Sequence, residues 1–253
     1  MRGAALLGAA VLTLFAAACG PARAAEGDAG CRNLRFDGAR FTVCEIDPVR
    51  DRLELFLYDD AGKPLASFRG VNDRLAREGL ELGVAMNAGM YHTSRAPVGL
   101  YIEDGRQEMR LVTSAGPGNF GLLPNGVFCL TETGAQVIET RRFEREAPAC
   151  RDATQSGPML VIDGALHPRF LPDSDSLHVR NGVGVDRDGR VHFAISNEPV
   201  NFHHFARLFR DGLGVPDALY LDGSISRLYD ADGGRHDAGW PMGPILGTVR
   251  RAD

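Results

Sequence analysis

Short alternations of apolar and polar residues run through most of the chain and set its expected elements. In RLELFLYD, Arg52 to Asp59, leucines recur at 53, 55 and 57, the period of a strand with one face on a core. VGLYIEDGRQ turns at Asp104-Gly105, and VGVDRDGRVHFAIS, Val183 to Ser196, turns at Asp188-Gly189, so both predict antiparallel hairpins. Two segments carry helical signals: Val71 to Glu78, and Phe202 to Asp211, which Asn201 caps and Gly212 and Gly214 stop. Hairpins outnumber crossovers. The expected class is therefore α+β, a single domain with a mixed, largely antiparallel sheet and a few helices, rather than a doubly wound sheet. No internal repeat, low-complexity run or linker interrupts the pattern after the leader.

Within this pattern, three apolar runs end abruptly in polar residues and glycine. ALYLDGSIS, Ala218 to Ser226, aims Asp222 out of a strand end, with Gly223 permitting the turn and Ser224 and Ser226 placing hydroxyls beside the carboxylate. VAMNAGMY places Asn87 and Gly89 after Val84 to Met86, and HVRNGVGV places Arg180 and Asn181 just before a Val-Gly-Val strand. Taken alone, Asp222-Gly223 reads equally as an ordinary turn between strands. Three such strand ends together read as a site.

Composition narrows the class. The 253 residues carry a net charge of -5, and their one arginine cluster, Arg141, Arg142 and Arg145, is interleaved with Glu139, Glu144 and Glu146 as a solvated face. Nucleic acid is not an expected partner. Arg2 precedes an apolar run from Ala4 to Ala18, and Ala22-Arg23-Ala24 forms a cleavage site, so residues 1–24 are expected to be a signal peptide and the mature chain to begin at Ala25. Ala16-Ala17-Ala18-Cys19 offers the alternative of a lipoprotein leader, residues 1–18, with a lipid anchor at Cys19 and otherwise no membrane association. Both place the mature chain in the periplasm, on the envelope or outside the cell. Cys31, Cys44, Cys129 and Cys150 then allow three pairings, of which the local one, Cys31 with Cys44 and Cys129 with Cys150, is favoured because each pair flanks its own hairpin or loop. Each bridge would contribute about 2 to 4 kcal/mol. A structural zinc site is the rival use of four cysteines, and no C-x-x-C pair supports it.

From Val84 to Tyr229 the chain resembles the phosphodiester glycosidase family, which includes the enzyme that removes N-acetylglucosamine from mannose 6-phosphate diesters. The resemblance rests on Asn87 to Tyr91, Gly157 to Leu160, Arg180 with Asn181, and Leu221 to Ser226. It departs at Ser224 and Ile225, where the family has glycines, and at Asn181, where the family often has Thr. It implies a phosphodiester glycosidase-like domain over 25–253 that hydrolyses the sugar–phosphate bond of a sugar 1-phosphodiester or related phosphoglycan. The expected partner is that small-molecule or glycan substrate. The leaving group departs as a weakly basic anion, so the site needs donors for phosphate, a carboxylate for the oxocarbenium-like centre, and polar groups for sugar hydroxyls. Arg180 suits the first role through its bidentate guanidinium, or else orients the carboxylate. Asp222 suits the second, and Asn87, Gly89, Asn181, Gly223, Ser224 and Ser226 the third. No cofactor or metal is required by this scheme. Glu103 and Glu198 are further carboxylates near strand ends.

Other residues carry weaker signals. DRDGR, Asp186 to Arg190, and DADGG, Asp230 to Gly234, have the opening of a calcium loop but lack its downstream Glu, so hairpin turns are expected. His203 and His204 are adjacent on a helix, and one is expected to pack near the sheet. His92, Asn119, Asn125 and Gln155 could each face a sugar or satisfy turn backbone. The alternative function is a periplasmic glycan- or phosphoglycan-binding protein without turnover, which would retain ligand but release no sugar.

Overall fold

The computed structural model describes residues 30–252 together with Met1; the leader with its two cleavage options and Cys19 lies outside the described residues, as does the side chain of Ser224. Three sheets, with every pairing antiparallel, make up the α+β fold. The first orders seven strands as Gly30–Phe36, Ala39–Ile46, Val191–Ser196, Asn181–Val185, Asp217–Tyr220, Met159–Ile162 and Ala165–Leu166. The second orders Arg235–His236, Leu228–Asp230, Leu80–Asn87, Ile245–Arg251 and Arg52–Phe56. The third orders Arg106–Met109, Tyr101–Glu103, Asp152–Ser156, Gly126–Thr131 and Gly134–Glu139.

Period-2 alternation decides how these sheets pack, because each strand sends alternate side chains to opposite faces. Cys44 and Ile46, Val191 and Phe193, Leu53 and Leu55, Val84 and Met86, and Phe128 and Leu130 all meet in one central cluster shared by the three sheets. Their alternates face outward and are covered by helices. Phe41, Val43, Ala218 and Tyr220 lie against Phe205 and Phe209. Phe56, Ala85 and Ile245 lie against Phe68, Val71 and Leu75. Val127, Cys129 and Ile138 lie against Phe143. The central strands are thus buried on both faces, which explains why they read as almost continuously apolar, while the edge strands Gly30–Phe36 and Arg106–Met109 stay largely exposed.

Both expected helices form, the second on its expected Asn201 cap and the first starting at Phe68, three residues before Val71. Ser67 Oγ accepts from Gly70 N at 2.9 Å to start Phe68–Leu75, which tightens into a 3₁₀ turn over Ala76–Glu78 and ends at Gly79 in the left-handed region. Asn201 Oδ1 accepts from His204 N at 2.8 Å to start Phe202–Arg207, and Leu208–Gly212 continues as a π turn. The Arg/Glu-rich segment folds as a third helix, Thr140–Glu146, whose N-terminal N–H groups are capped by Glu139 and whose polar side is exposed. The locally favoured disulfides, Cys31–Cys44 and Cys129–Cys150, are the ones formed. Among the described residues, no helix is long and apolar enough to cross a membrane.

Candidate functional site

The chain passes from the first sheet to the second through Leu221–Arg227, directly beside the end of Leu80–Asn87. Asn87 is the last residue of its strand, Asn181 the first of its own, and Asp222 follows Asp217–Tyr220 by two residues. At these ends the backbone runs out of ladder partners, and side-chain amides replace them. Asn181 Nδ2 donates to Asn87 Oδ1 at 3.1 Å and to the Asn87 carbonyl at 3.2 Å. Asn87 Nδ2 donates to the Asp222 carbonyl at 2.8 Å, and Asn87 Oδ1 also accepts from Arg227 N at 2.9 Å. Both amides are fully buried. Two neutral side chains thereby splice the sheets and fix both flanks of the Asp222 turn, at the cost of no buried charge.

The third sheet joins at the same point. Gly89 N donates to Thr154 Oγ1 at 3.2 Å, and a Cβ on Gly89 would stand 2.5 Å from that hydroxyl and from the Gln155 carbonyl. Glycine is required here for close approach between sheets. Ser226 Oγ donates to the Val179 carbonyl at 3.1 Å and to Asn181 Oδ1 at 3.2 Å. Seven of the residues singled out by sequence therefore converge: Asn87, Gly89, Arg180, Asn181, Asp222, Gly223 and Ser226. Asp222 itself is half-buried at the mouth of this junction.

Arg180 lies underneath. It is 1 % exposed, its Nε and one terminal nitrogen donate to the carbonyls of Val200 and Ser176 at 2.8 Å, and its guanidinium stacks 3.6 Å from the Phe202 ring centroid. Burial pulls its pKa down from the usual arginine range, and the neighbouring Tyr220, whose ring centroid lies 5.6 Å from the guanidinium, opposes that shift. Burial raises the Tyr220 pKa, which the Arg180 charge opposes. A Cβ on Gly223 would fall 1.4 Å from the Tyr220 hydroxyl oxygen. The turn therefore rests on Tyr220, and Tyr220 on Arg180. The guanidinium expected on a phosphate is thus buried, with its Nε and one terminal nitrogen on fold carbonyls and its face on Phe202.

Two further residues stand at the mouth: Tyr91, which closes the Asn87 to Tyr91 motif, and Arg227, which escaped sequence reasoning. Tyr91 has a pKa raised by burial and by the Asp222 charge, and it remains a neutral hydroxyl, donating to the Pro241 carbonyl at 3.3 Å. Arg227 follows the Asp-Gly-Ser-Ile-Ser turn and its charge acts on Tyr91. Its only sequence signal was its place one residue beyond the motif. Ile225, one of the departures from the family pattern, turns into the apolar cluster of Phe68, Tyr229 and Met242.

The remaining candidates serve elsewhere. Glu103 accepts from the Tyr101 hydroxyl at 2.7 Å and pairs with Arg74, and Glu198 accepts from Arg40 N at 2.6 Å. Gln155 binds Leu100 N, Val112 N and the Val112 carbonyl, and Asn125 binds the Phe120 carbonyl, so both satisfy loop backbone. His92 and Asn119 are exposed, and His204 packs by Phe36 and Phe41. DRDGR and DADGG are turns in which Asp186 accepts from Asp188 N and Arg190 N, and Asp230 from Gly233 N. Among the described residues no group of three or more His, Cys, Asp or Glu is placed to hold a metal ion.

The α+β fold has known counterparts. It is similar to the catalytic domain of zebrafish N-acetylglucosamine-1-phosphodiester alpha-N-acetylglucosaminidase auto-inhibited by its pro-peptide, with a TM-score of 0.62 and 15% identity over 87% of this chain and 81% of that one. A hypothetical protein from Synechocystis matches with a TM-score of 0.59 and 14% identity over 87% of this chain and 61% of that one. These likenesses establish the fold. The model of the phosphodiester glycosidase family matches residues 81–247, and the chain belongs to that family. Within it, the chain is 32% identical over 206 residues to YigE, an uncharacterized protein of Escherichia coli (strain K12), covering 81% of this chain and 80% of that one.

Proposed function

We propose that this chain is an exported hydrolase that cleaves the sugar carbon–oxygen bond of a sugar 1-phosphodiester or related phosphoglycan. The observation that carries this reading is the half-buried Asp222 carboxylate, held by fixed backbone on both flanks at the junction of three sheets and bordered by Tyr91 and Arg227. In this scheme Asp222 stabilises or attacks the oxocarbenium-like sugar carbon. The bonding pair of the broken C1–O bond leaves on the phosphate, water supplies the new C1 hydroxyl, and its proton passes to solvent. A phosphate monoester is a good enough leaving group to make a strong protein acid unnecessary. Arg180 enters as a positioning residue for Tyr220 and the Asp222 turn. Asn87, Asn181, Gly223 and Ser226 shape the floor that faces the sugar, together with Ser224.

Hydrolysis of a sugar 1-phosphodiester in ¹⁸O-enriched water tests this. The label is expected in the sugar hydroxyl at C1. Label in the phosphate would mean phosphorus–oxygen cleavage and overturn the glycosidase reading, and no release of sugar would leave the binding-protein alternative. Export is supported by the two disulfides, which persist in oxidising compartments. Mass spectrometry of the protein from its host is expected to find Ala25, or a lipid-modified Cys19, as the first residue; an intact Met1 would defeat it.

A further inference from the structure

Behind Arg227 lies a cavity of about 480 Å³, of the size that takes a small organic molecule. Its wall is mostly apolar. Phe68, Tyr229 and Met242 are buried within it, Tyr229 meets His236 in a tilted pair at 4.6 Å between ring centroids, and Asn72 donates to the Tyr229 hydroxyl at 3.2 Å. Arg227 supplies a cation to this wall. It is 9 % exposed, one terminal nitrogen donates to the Trp240 carbonyl at 2.5 Å, and its backbone is tied to Asn87.

A buried guanidinium needs acceptors, and a carbonyl is a weak one. Asp237 is the carboxylate whose charge reaches it. Asp237 is itself held by Arg235, through contacts of 2.9 to 3.1 Å, and by Leu228 N at 3.0 Å. Arg69, Arg227 and Asp237 all line the cavity, so its charged groups leave one net positive charge beside the apolar wall. Asn87 accepts from Arg227 N and donates to the Asp222 carbonyl, and Ile225 between them packs on Phe68, Tyr229 and Met242, so the cavity wall and the Asp222 turn are neighbours.

We propose that this cavity is the leaving-group pocket of the site, in which Arg227 takes the phosphate of the departing group and Phe68, Tyr229 and Met242 take an apolar, ring-sized body esterified to that phosphate. The proposal rests on the hydrolase reading above and specifies its substrate class: sugar 1-phosphodiesters with an apolar rather than a sugar or glycerol aglycone. Arg227 would meet the charge that collects on the leaving oxygen as the C1–O bond breaks. Ile225, in place of a glycine, extends the same apolar wall toward Asp222.

Phenyl phosphate, titrated into the mature full-length protein with its disulfides intact, tests the pocket without requiring turnover. It is expected to bind about tenfold or more tighter than inorganic phosphate, because ring burial adds to the ion pair. In wild-type protein carrying ¹³C-methyl methionine, the Met242 methyl signal, assigned by Met242→Leu, is expected to shift. Arg227→Gln is expected to weaken phenyl phosphate by about tenfold or more. Equal affinity for phenyl and inorganic phosphate, or an unmoved Met242 signal, overturns the proposal even if the Arg227 variant fails to fold. If phenyl phosphate binds as expected but no sugar 1-phosphodiester is hydrolysed, the hydrolase reading fails and the cavity's ligand class stands. Hydrolysis without phenyl phosphate in the cavity overturns the pocket alone.

Discussion

The Asp188-Gly189 and Asp222-Gly223 turns are the same dipeptide at the end of an apolar strand, and they are built on opposite principles. At the hairpin, Gly189 sits at a φ of 81° with nothing within 4 Å of where a Cβ would be. Its glycine answers a backbone demand, and Asp186 secures the turn by accepting from Asp188 N and Arg190 N. At the sheet junction, Gly223 needs no positive φ, and its missing side chain is where the Tyr220 hydroxyl lies. There the glycine answers a packing demand from another layer. A turn closed by its own neighbours can be altered with local consequences, whereas a turn held by Asn87, Asn181, Tyr220 and Arg180 transmits any change to the carboxylate it carries.

The sharpest way to break this comparison is to neutralise each aspartate. Asp222→Asn is expected to reduce hydrolysis of a sugar 1-phosphodiester on the order of 10³-fold while sparing ligand affinity and melting temperature. Asp188→Asn is expected to leave the rate unchanged. Equal rates for wild type and Asp222→Asn would remove Asp222 from the chemistry.

Next in size is the glycine pair. Gly223→Ala is expected to displace the Tyr220 ring, costing about 1 to 3 kcal/mol as overpacking does and lowering the rate by roughly 10²-fold through misplacement of Asp222. Near-normal kinetics in a folded Gly223→Ala variant would show that the turn does not depend on its tyrosine seat. Arg180→Lys comes third. An ammonium cannot serve the Val200 and Ser176 carbonyls and stack on Phe202 together, so stability is expected to fall by about 1 to 3 kcal/mol. The rate loss is expected to be the same for phosphate and neutral phenol leaving groups, because Arg180 acts through Tyr220. A penalty confined to phosphate substrates would return Arg180 to the anion. The smallest effect is expected at Gly189→Ala, about 1 kcal/mol of strain from the left-handed backbone, with kinetics unchanged.

Much of the architecture was legible because it depends on local rules. Alternating leucines, Asp-Gly turns and the Asn201 cap each act over a few residues, and the local cysteine pairs fall beside short turns or loops. The site was legible in outline for a related reason: a polar residue directly after a buried strand has little to do but bridge sheets or face a ligand. Glu103, Gln155 and Asn125 carried the same polar signal and were spent on Tyr101, Leu100 and Phe120, which no spacing reveals.

What the sequence by itself determined is the class of fold, the start of the Phe202 helix, the hairpins and the set of strand-end residues that converge. Those follow from periodicity and backbone preference, which are properties of neighbouring residues. Only the tertiary structure decided which candidates are buried and which face the mouth. Arg180, which any guanidinium chemistry would assign to phosphate, lies beneath Phe202 and Tyr220, while Arg227, outside every motif, opens onto a cavity. The physical reason is that a side chain's charge is available only where the layers leave it acceptors other than the fold's own carbonyls. That accounting involves residues more than a hundred positions apart, as in the bonds from Asn87 to Asp222 and Arg227.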